Sequence, residues 1–289
     1  MSLMLIAPLL LAQSSIFGGP VSQLPPEIIQ KKEDEANKRA LQTAERPSAP
    51  AQVGCTQAVD SDPAGAARFA REALAKTVGA ERVRAGLCLG LALSATEQWD
   101  EAQAAFIDAR NSAAEDDKAT RARLGDMAAN AALAQGKPEA ALSILGPAAA
   151  DAQAAQDQTL VAAVAIDRAR AQVAQQQDLL ASQALAEARA ADPANAQAWL
   201  LSATLSRRMN HLDIAAQQIA QAAQLAPQDP EVGLEAGVIA MLAGREEPAR
   251  RSWQSVVALA PESAAATTAR GYLAQLGPAA PAAAKETTP

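Results

Sequence analysis

Aromatic residues make up only 2% of this 289-residue chain: three Trp, one Tyr and three Phe. A core built on large ring anchors is therefore excluded. Histidine occurs once, as His211, and cysteine twice, as Cys55 and Cys88. Those three side chains lack the number and spacing of a metal site, and no cofactor is implied. No nucleophile is placed near His211 by any motif, so it reads as a solvated turn residue rather than a general base. Glycine-rich phosphate loops, Walker patterns and nucleophile elbows are missing. The carboxylate pairs Asp116-Asp117 and Glu246-Glu247 are adjacent in sequence, which suits helix starts and loop solvation. Basic residues number 25 against 32 acidic ones, a net charge of −7. That balance leaves no basic footprint for nucleic acid. Nothing here argues for an enzyme.

The apolar run Leu3–Ala12 is too short to cross a bilayer, which needs about 20 residues. Its length fits the h-region of a secretory signal, with cleavage after Ser14. No Lys or Arg precedes the run, so the usual basic start is missing. The expectation is a signal peptide over 1–14 and an exported, periplasmic chain without a transmembrane span. A cytoplasmic chain and an uncleaved anchor stay open as alternatives. In an oxidising compartment Cys55 and Cys88 can pair as a disulfide; the other reading is two inert thiols.

Alanine, the best helix former, fills roughly a quarter of the chain, and β-branched residues are few. Each alanine buries little area, so stability must come from many close helix contacts. Residues 15–61 read as a disordered linker, punctuated by Pro20, Pro25, Pro26, Pro47 and Pro50. Asp62-Pro63 then marks a helix start reaching to about Lys76, with no partner within a repeat.

Beyond it the chain repeats. Pro193, Pro227 and Pro261 stand 34 residues apart. Ala181, Ala215 and Ala249 precede them by twelve, Leu185, Ile219 and Trp253 by eight, and Ala169, Ala203 and Gly237 by twenty-four. A 34-residue period of helix-compatible residues signals a helical-hairpin solenoid. The pattern resembles the tetratricopeptide repeat (TPR) family. The fullest match is 196–229, with Trp199, Ala203, Ala215, Ile219, Ala222 and Pro227; 230–263 and 162–195 follow. Units 83–116 and 122–155 match less fully and lack the proline. The resemblance implies an all-α, right-handed α-solenoid of about five hairpins over 62–277. A capping helix over 262–276 and a disordered tail over 278–289 complete the reading.

The period is uneven. Ala102 to Ala141 spans 39 residues and Ala141 to Ala181 spans 40. Extra residues near 115–120 and 156–159 predict lengthened helices or loops, altered curvature, and a break into an N-terminal pair and a C-terminal triple.

In the family the first helix of each hairpin lines a concave groove. Carried over position by position, this gives Arg84, Arg123, Asn130, Arg170, Thr204, Arg207 and the adjacent Arg208 as candidate groove residues. Arginine offers a planar fork suited to carboxylates. These side chains either hold an acidic or extended peptide, or neutralise carboxylates such as Asp126, Asp167 and Asp213. Asn130 alone matches the lysine and asparagine set of the family's carboxylate clamp, so that variant is not supported. Trp199 and Trp253 stand where a large residue packs between helices and are expected in the core. The functional expectation is a non-enzymatic protein-interaction scaffold or adaptor of the cell envelope. The alternatives are a small-ligand or enzyme-accessory module that uses the groove as a pocket, and a cytosolic scaffold. The oligomeric state is not written in the sequence.

Overall fold

The computed structural model describes residues 54–277. The expected leader at 1–14, residues 15–53 of the expected linker and the expected tail at 278–289 lie outside the described residues. Within them the chain forms thirteen helices: α1 Cys55–Ser61, α2 Pro63–Leu74, α3 Gly79–Ala95, α4 Trp99–Ser112, α5 Lys118–Ala134, α6 Pro138–Ala154, α7 Gln158–Ala174, α8 Asp178–Ala191, α9 Ala196–Arg208, α10 Leu212–Leu225, α11 Pro230–Leu242, α12 Glu246–Leu259 and α13 Ala264–Leu276. No described helix is long and apolar enough to cross a membrane.

Consecutive helices pack on each other throughout. Five hairpins result, α3–α4, α5–α6, α7–α8, α9–α10 and α11–α12, and α13 closes the far end against α11 and α12. Each hairpin turn is built the same way. The amides of Gln98, Lys137, Gln177, His211 and Arg245 each donate to a carbonyl five residues back, at 2.8–2.9 Å. The residue before each donor, Glu97, Gly136, Gln176, Asn210 or Gly244, has φ between 58° and 73°. This is a Schellman closure, which satisfies orphan carbonyls at the end of the first helix. Between hairpins a side-chain cap starts the next helix instead. Asp117 accepts from Thr120 N–H, Asp157 from Leu160, Asn195 from Ala198, Asp229 from Glu231 and Val232, and Ser263 from Ala266.

Small residues set the helix approach. Ala102, Ala141, Ala181, Ala215 and Ala249 are all fully buried. Where a large side chain must fit inside a hairpin, a glycine faces it. A Cβ on Gly90 would lie 2.3 Å from the Phe106 ring, and one on Gly237 would lie 2.1 Å from Trp253 Nε1. Trp253 is buried as expected, donates to the Leu234 carbonyl at 3.1 Å, and packs on Tyr272 at 4.9 Å between centroids. Trp199 departs from the expectation. It is only half-buried, at the edge of a surface cleft described below.

The extra residues of the uneven period mostly lengthen helices. α5, α6 and α7 each have 17 residues, whereas α9 to α12 have 13 or 14. The expected break is not found. Ile144 packs against the apolar clusters on both sides of the first junction, and Ala191 does the same at the second. The first junction is also pinned by charge. Asp151, buried on α6, receives Arg110 of α4 at 2.7 Å, Lys118 of α5 at 3.2 Å and Arg121 of α5 at 3.5 Å. Burial alone would raise its pKa. Hydrogen bonds from Lys118 and Arg110, with their charges, hold it below the usual carboxylate range instead.

The end of the expected linker differs as well. Residues 55–61 are helical, and α1 is the short partner that α2 lacks in the sequence reading. The physical reason lies in long-range contacts that periodicity does not show. Val59 is buried against α2 and α3, and Cys55 is bridged to Cys88 of α3 with Cα atoms 5.6 Å apart.

The glycine facing Trp253 gives a direct test of the packing rule. Gly237→Val forces the indole out of its slot and should lower stability by about 1–3 kcal/mol, read by urea unfolding. A neutral result would show that the indole relaxes freely.

Candidate functional site

The predicted groove residues all lie on first helices of the hairpins, α3, α5, α7 and α9, and α5 packs on α7 as α9 does on α11. The structure does not gather the arginines into one anion site. Arg84 is exposed, 3.8 Å from Glu81 on its own helix. Arg170 pairs with Asp167 at 2.6 Å, and Arg208 lies 3.7 Å from Asp178. Arg207 grips Glu235 of α11 with two nitrogens, at 2.6 and 3.3 Å. Arg123 is exposed and joins no salt bridge among the described residues. Thr204 turns its hydroxyl onto the Leu200 carbonyl at 3.1 Å. Of the three carboxylates offered as neutralising partners, only Asp167 takes an arginine. Glu235, which takes Arg207, was not foreseen.

Between the arginines the first helices carry apolar side chains. Leu87, Leu133, Val173, Leu200 and Val238 are half-buried, and Met241 is 37% exposed. This is the surface that remains once Arg170 and Arg207 have found partners inside the chain.

One polar knot interrupts it. Asp126 of α5 faces Asp167 of α7, with Asn130 and Arg170 around them. Asn130 Nδ2 donates to Asp167 at 2.6 Å, and Arg170 holds the other Asp167 oxygen. Asp126 Oδ1 is buried with no hydrogen-bond partner. Burial first, then the charge of Asp167 and a hydrogen bond to it, push the Asp126 carboxyl up to about 8, against a smaller downward pull from Arg170.

The second helices of the hairpins, which we call the outer row as the first helices are the inner, carry two clefts open to solvent. One, of about 460 Å³, lies along α4 and includes Asp100, Gln103, Ile107 and Lys137, with Lys137 bonded to Asp100 at 2.7 Å. The other, of about 530 Å³, lies between α8 and α10 and is lined by Arg189, Trp199, Ile214, Gln217, Gln218 and Gln221. Sequence reasoning missed Arg189. A signal existed in the repeat register: eight residues after the crossing alanine, unit 162–195 has arginine where the next two units have Ala223 and Val257.

No protein-family model matches the chain, and no curated protein matches it. Solved structures do. PilW, a widely conserved type IV pilus biogenesis factor, is 18% identical over 74% of this chain and 94% of its own, with a TM-score of 0.61. Pseudomonas aeruginosa PilF is 16% identical over 83% of this chain and 99% of its own, with a TM-score of 0.59. YrrB, a TPR protein with an unusual peptide-binding site, is 18% identical over 71% and 100%, with a TM-score of 0.48. At these identities the likeness is one of fold. That fold, with the repeat register and the five hairpins, is the tetratricopeptide-repeat solenoid.

The carboxyl pair has a readable pH signature. The folded pKa of Asp126 lies above its unfolded value of 3.8, so the folded state binds the extra proton more tightly. Stability from this group is present at low pH and falls as pH rises through about 8. Asp126→Asn removes the titration. It should melt at least ~2 °C above the wild type at pH 8.5, with the gap closing towards pH 5, in paired thermal scans. Parallel pH profiles for the two proteins would refute the assignment.

Proposed function

We propose that this chain is a non-enzymatic protein-interaction scaffold that holds an extended peptide or protein segment along its inner row of first helices. The carrying observation is the run of half-buried apolar side chains from Leu87 on α3 to Met241 on α11. A largely apolar face, broken by the Asp126–Asp167 knot, suits apolar anchors of an extended partner. The internal pairing of Arg170 and Arg207 favours the second of the two sequence readings, neutralised carboxylates, over an acidic ligand on this face. Fold alone does not name a function, so the reading rests on this surface.

The place we propose is the cell envelope, after export and removal of the leader at 1–14. The Cys55–Cys88 bridge supports it, since structural disulfides persist in oxidising compartments. The likeness to PilW makes pilus assembly the first envelope system to test.

Two outcomes follow. Arg123→Glu combined with Met241→Glu changes two exposed inner-row residues that the packing does not use. The double variant should lose, by tenfold or more, the partners that the wild type captures from native-host envelope extract, with its helical circular dichroism unchanged. Equal capture by both proteins would overturn the inner-row reading. For export, cells lysed into a thiol-alkylating reagent without reductant should leave Cys55 and Cys88 unlabelled. Full labelling of both would place the chain in a reducing compartment.

A further inference from the structure

We propose that the cleft between α8 and α10 is a second docking site, on the outer row, that takes a glutamate or aspartate side chain from an acidic segment of a partner protein. Arg189 is the residue that receives it. The guanidinium lies over the Trp199 ring, 4.9 Å from its centroid. The ring is held in place by its own indole N–H, which donates to the Pro193 carbonyl at 2.9 Å. Stacking of this kind presents the planar fork in a fixed orientation and leaves its edge donors to a ligand. Among the described residues Arg189 joins no salt bridge and makes no side-chain hydrogen bond; the neighbouring Glu187 is taken by Arg168. Burial disfavours its charge.

The repeat itself shows what belongs there. Arg110 occupies the same position in its own unit, eight residues after the crossing Ala102, as Arg189 does after Ala181. Arg110 meets Asp151 of the next hairpin at 2.7 Å. Asp151 lies ten residues after the crossing Ala141. Ten residues after Ala215, the corresponding residue of the hairpin that follows Arg189 is Leu225. So the same arginine slot that is filled from within the chain at one junction lacks its internal carboxylate at the other. A charged fork with unused donors, half-desolvated, gains more from a carboxylate than from a neutral acceptor.

The rest of the cleft narrows the partner. Ile214, 49% exposed, offers an apolar contact for a side chain next to the acid. Gln218 accepts from Ser206 Oγ at 2.8 Å, which leaves its NH₂ free to donate, and the amides of Gln217 and Gln221 line the same wall. Side-chain amides of this kind suit the main chain of an extended peptide. A single arginine on a chain of net charge −7 does not suit a polyanion such as nucleic acid, which needs several cations in a row.

The test uses the full chain and an array of ten-residue peptides. Each has a central Glu or Asp flanked by Ile, Leu, Val or Pro, and each is paired with its Gln or Asn counterpart. The strongest acidic binder is then labelled with fluorescein and titrated by anisotropy. The acidic peptide should bind ~10-fold or more tightly than its amide counterpart. Arg189→Gln should abolish that preference with helical circular dichroism unchanged. Ile214→Glu, which puts a carboxylate into the cleft from within, should weaken binding comparably. The proposal is overturned if no acidic peptide outbinds its amide counterpart, or if Arg189→Gln binds as the wild type does. It is equally overturned if affinity is lost in Arg123→Glu with Met241→Glu instead. That last result would seat the peptide on the inner row and leave the earlier reading standing.

Discussion

The close approach of paired helices at small side chains governs most of this molecule. Five crossing alanines are fully buried, and each joins two helices with almost no side-chain material between them. A packed interior gains dispersion contacts only where surfaces meet without gaps, so backbones must come together where side chains are this short. The few large residues then need a place, and glycine supplies it: Phe106 against Gly90, Trp253 against Gly237. Large and small positions are therefore coupled within each hairpin, and neither can change alone. The scarcity of aromatics follows from the same geometry. A chain that brings helices together on alanine has few slots wide enough for a ring.

The five Schellman turns depend on this approach as well. A fold-back of this kind sets the second helix at a fixed distance and angle, and it demands a left-handed residue whatever the sequence provides. Glycine occupies that place only at Gly136 and Gly244; Glu97, Gln176 and Asn210 adopt it without glycine's freedom. The local cost is met by the packing of the hairpin it closes. The order of events in the physics is packing first and turn residue second, which is why turn chemistry alone marks only some of these junctions.

That ordering explains what the sequence revealed. Hairpin number, crossing alanines and the proline-marked ends were legible because each is a local demand repeated at a fixed interval. α1 was not legible, because a seven-residue helix has little periodicity and is held by Val59 packing and a bridge to Cys88, 33 residues away. The arginine pairings were only half legible. Register places Arg207 on the inner row but does not say that Glu235, 28 residues on, reaches it from the neighbouring first helix. Trp199 shows the same limit. Its unit position matches a core residue, yet it packs beside α8 near a hairpin junction and stays partly open, with Arg189 covering its face.

Charge pairing between hairpins also decides which surfaces can bind. A solenoid is held by nearest-neighbour interfaces, and a salt bridge across one fixes the register of two units while removing both groups from the surface. Exposed pairs of this sort add little stability. Asp151 is different, because it is buried and its charge is compensated there by three cations from α4 and α5. Arg207–Glu235 and the Asn130–Asp167–Arg170 knot bring the inner row towards neutrality, so apolar contact becomes its available chemistry. Net acidity of the whole chain therefore says little about what any one face attracts. What internal pairing leaves on the proposed surfaces is the apolar stripe with Arg123 on the first helices, and Arg189 in the cleft between α8 and α10.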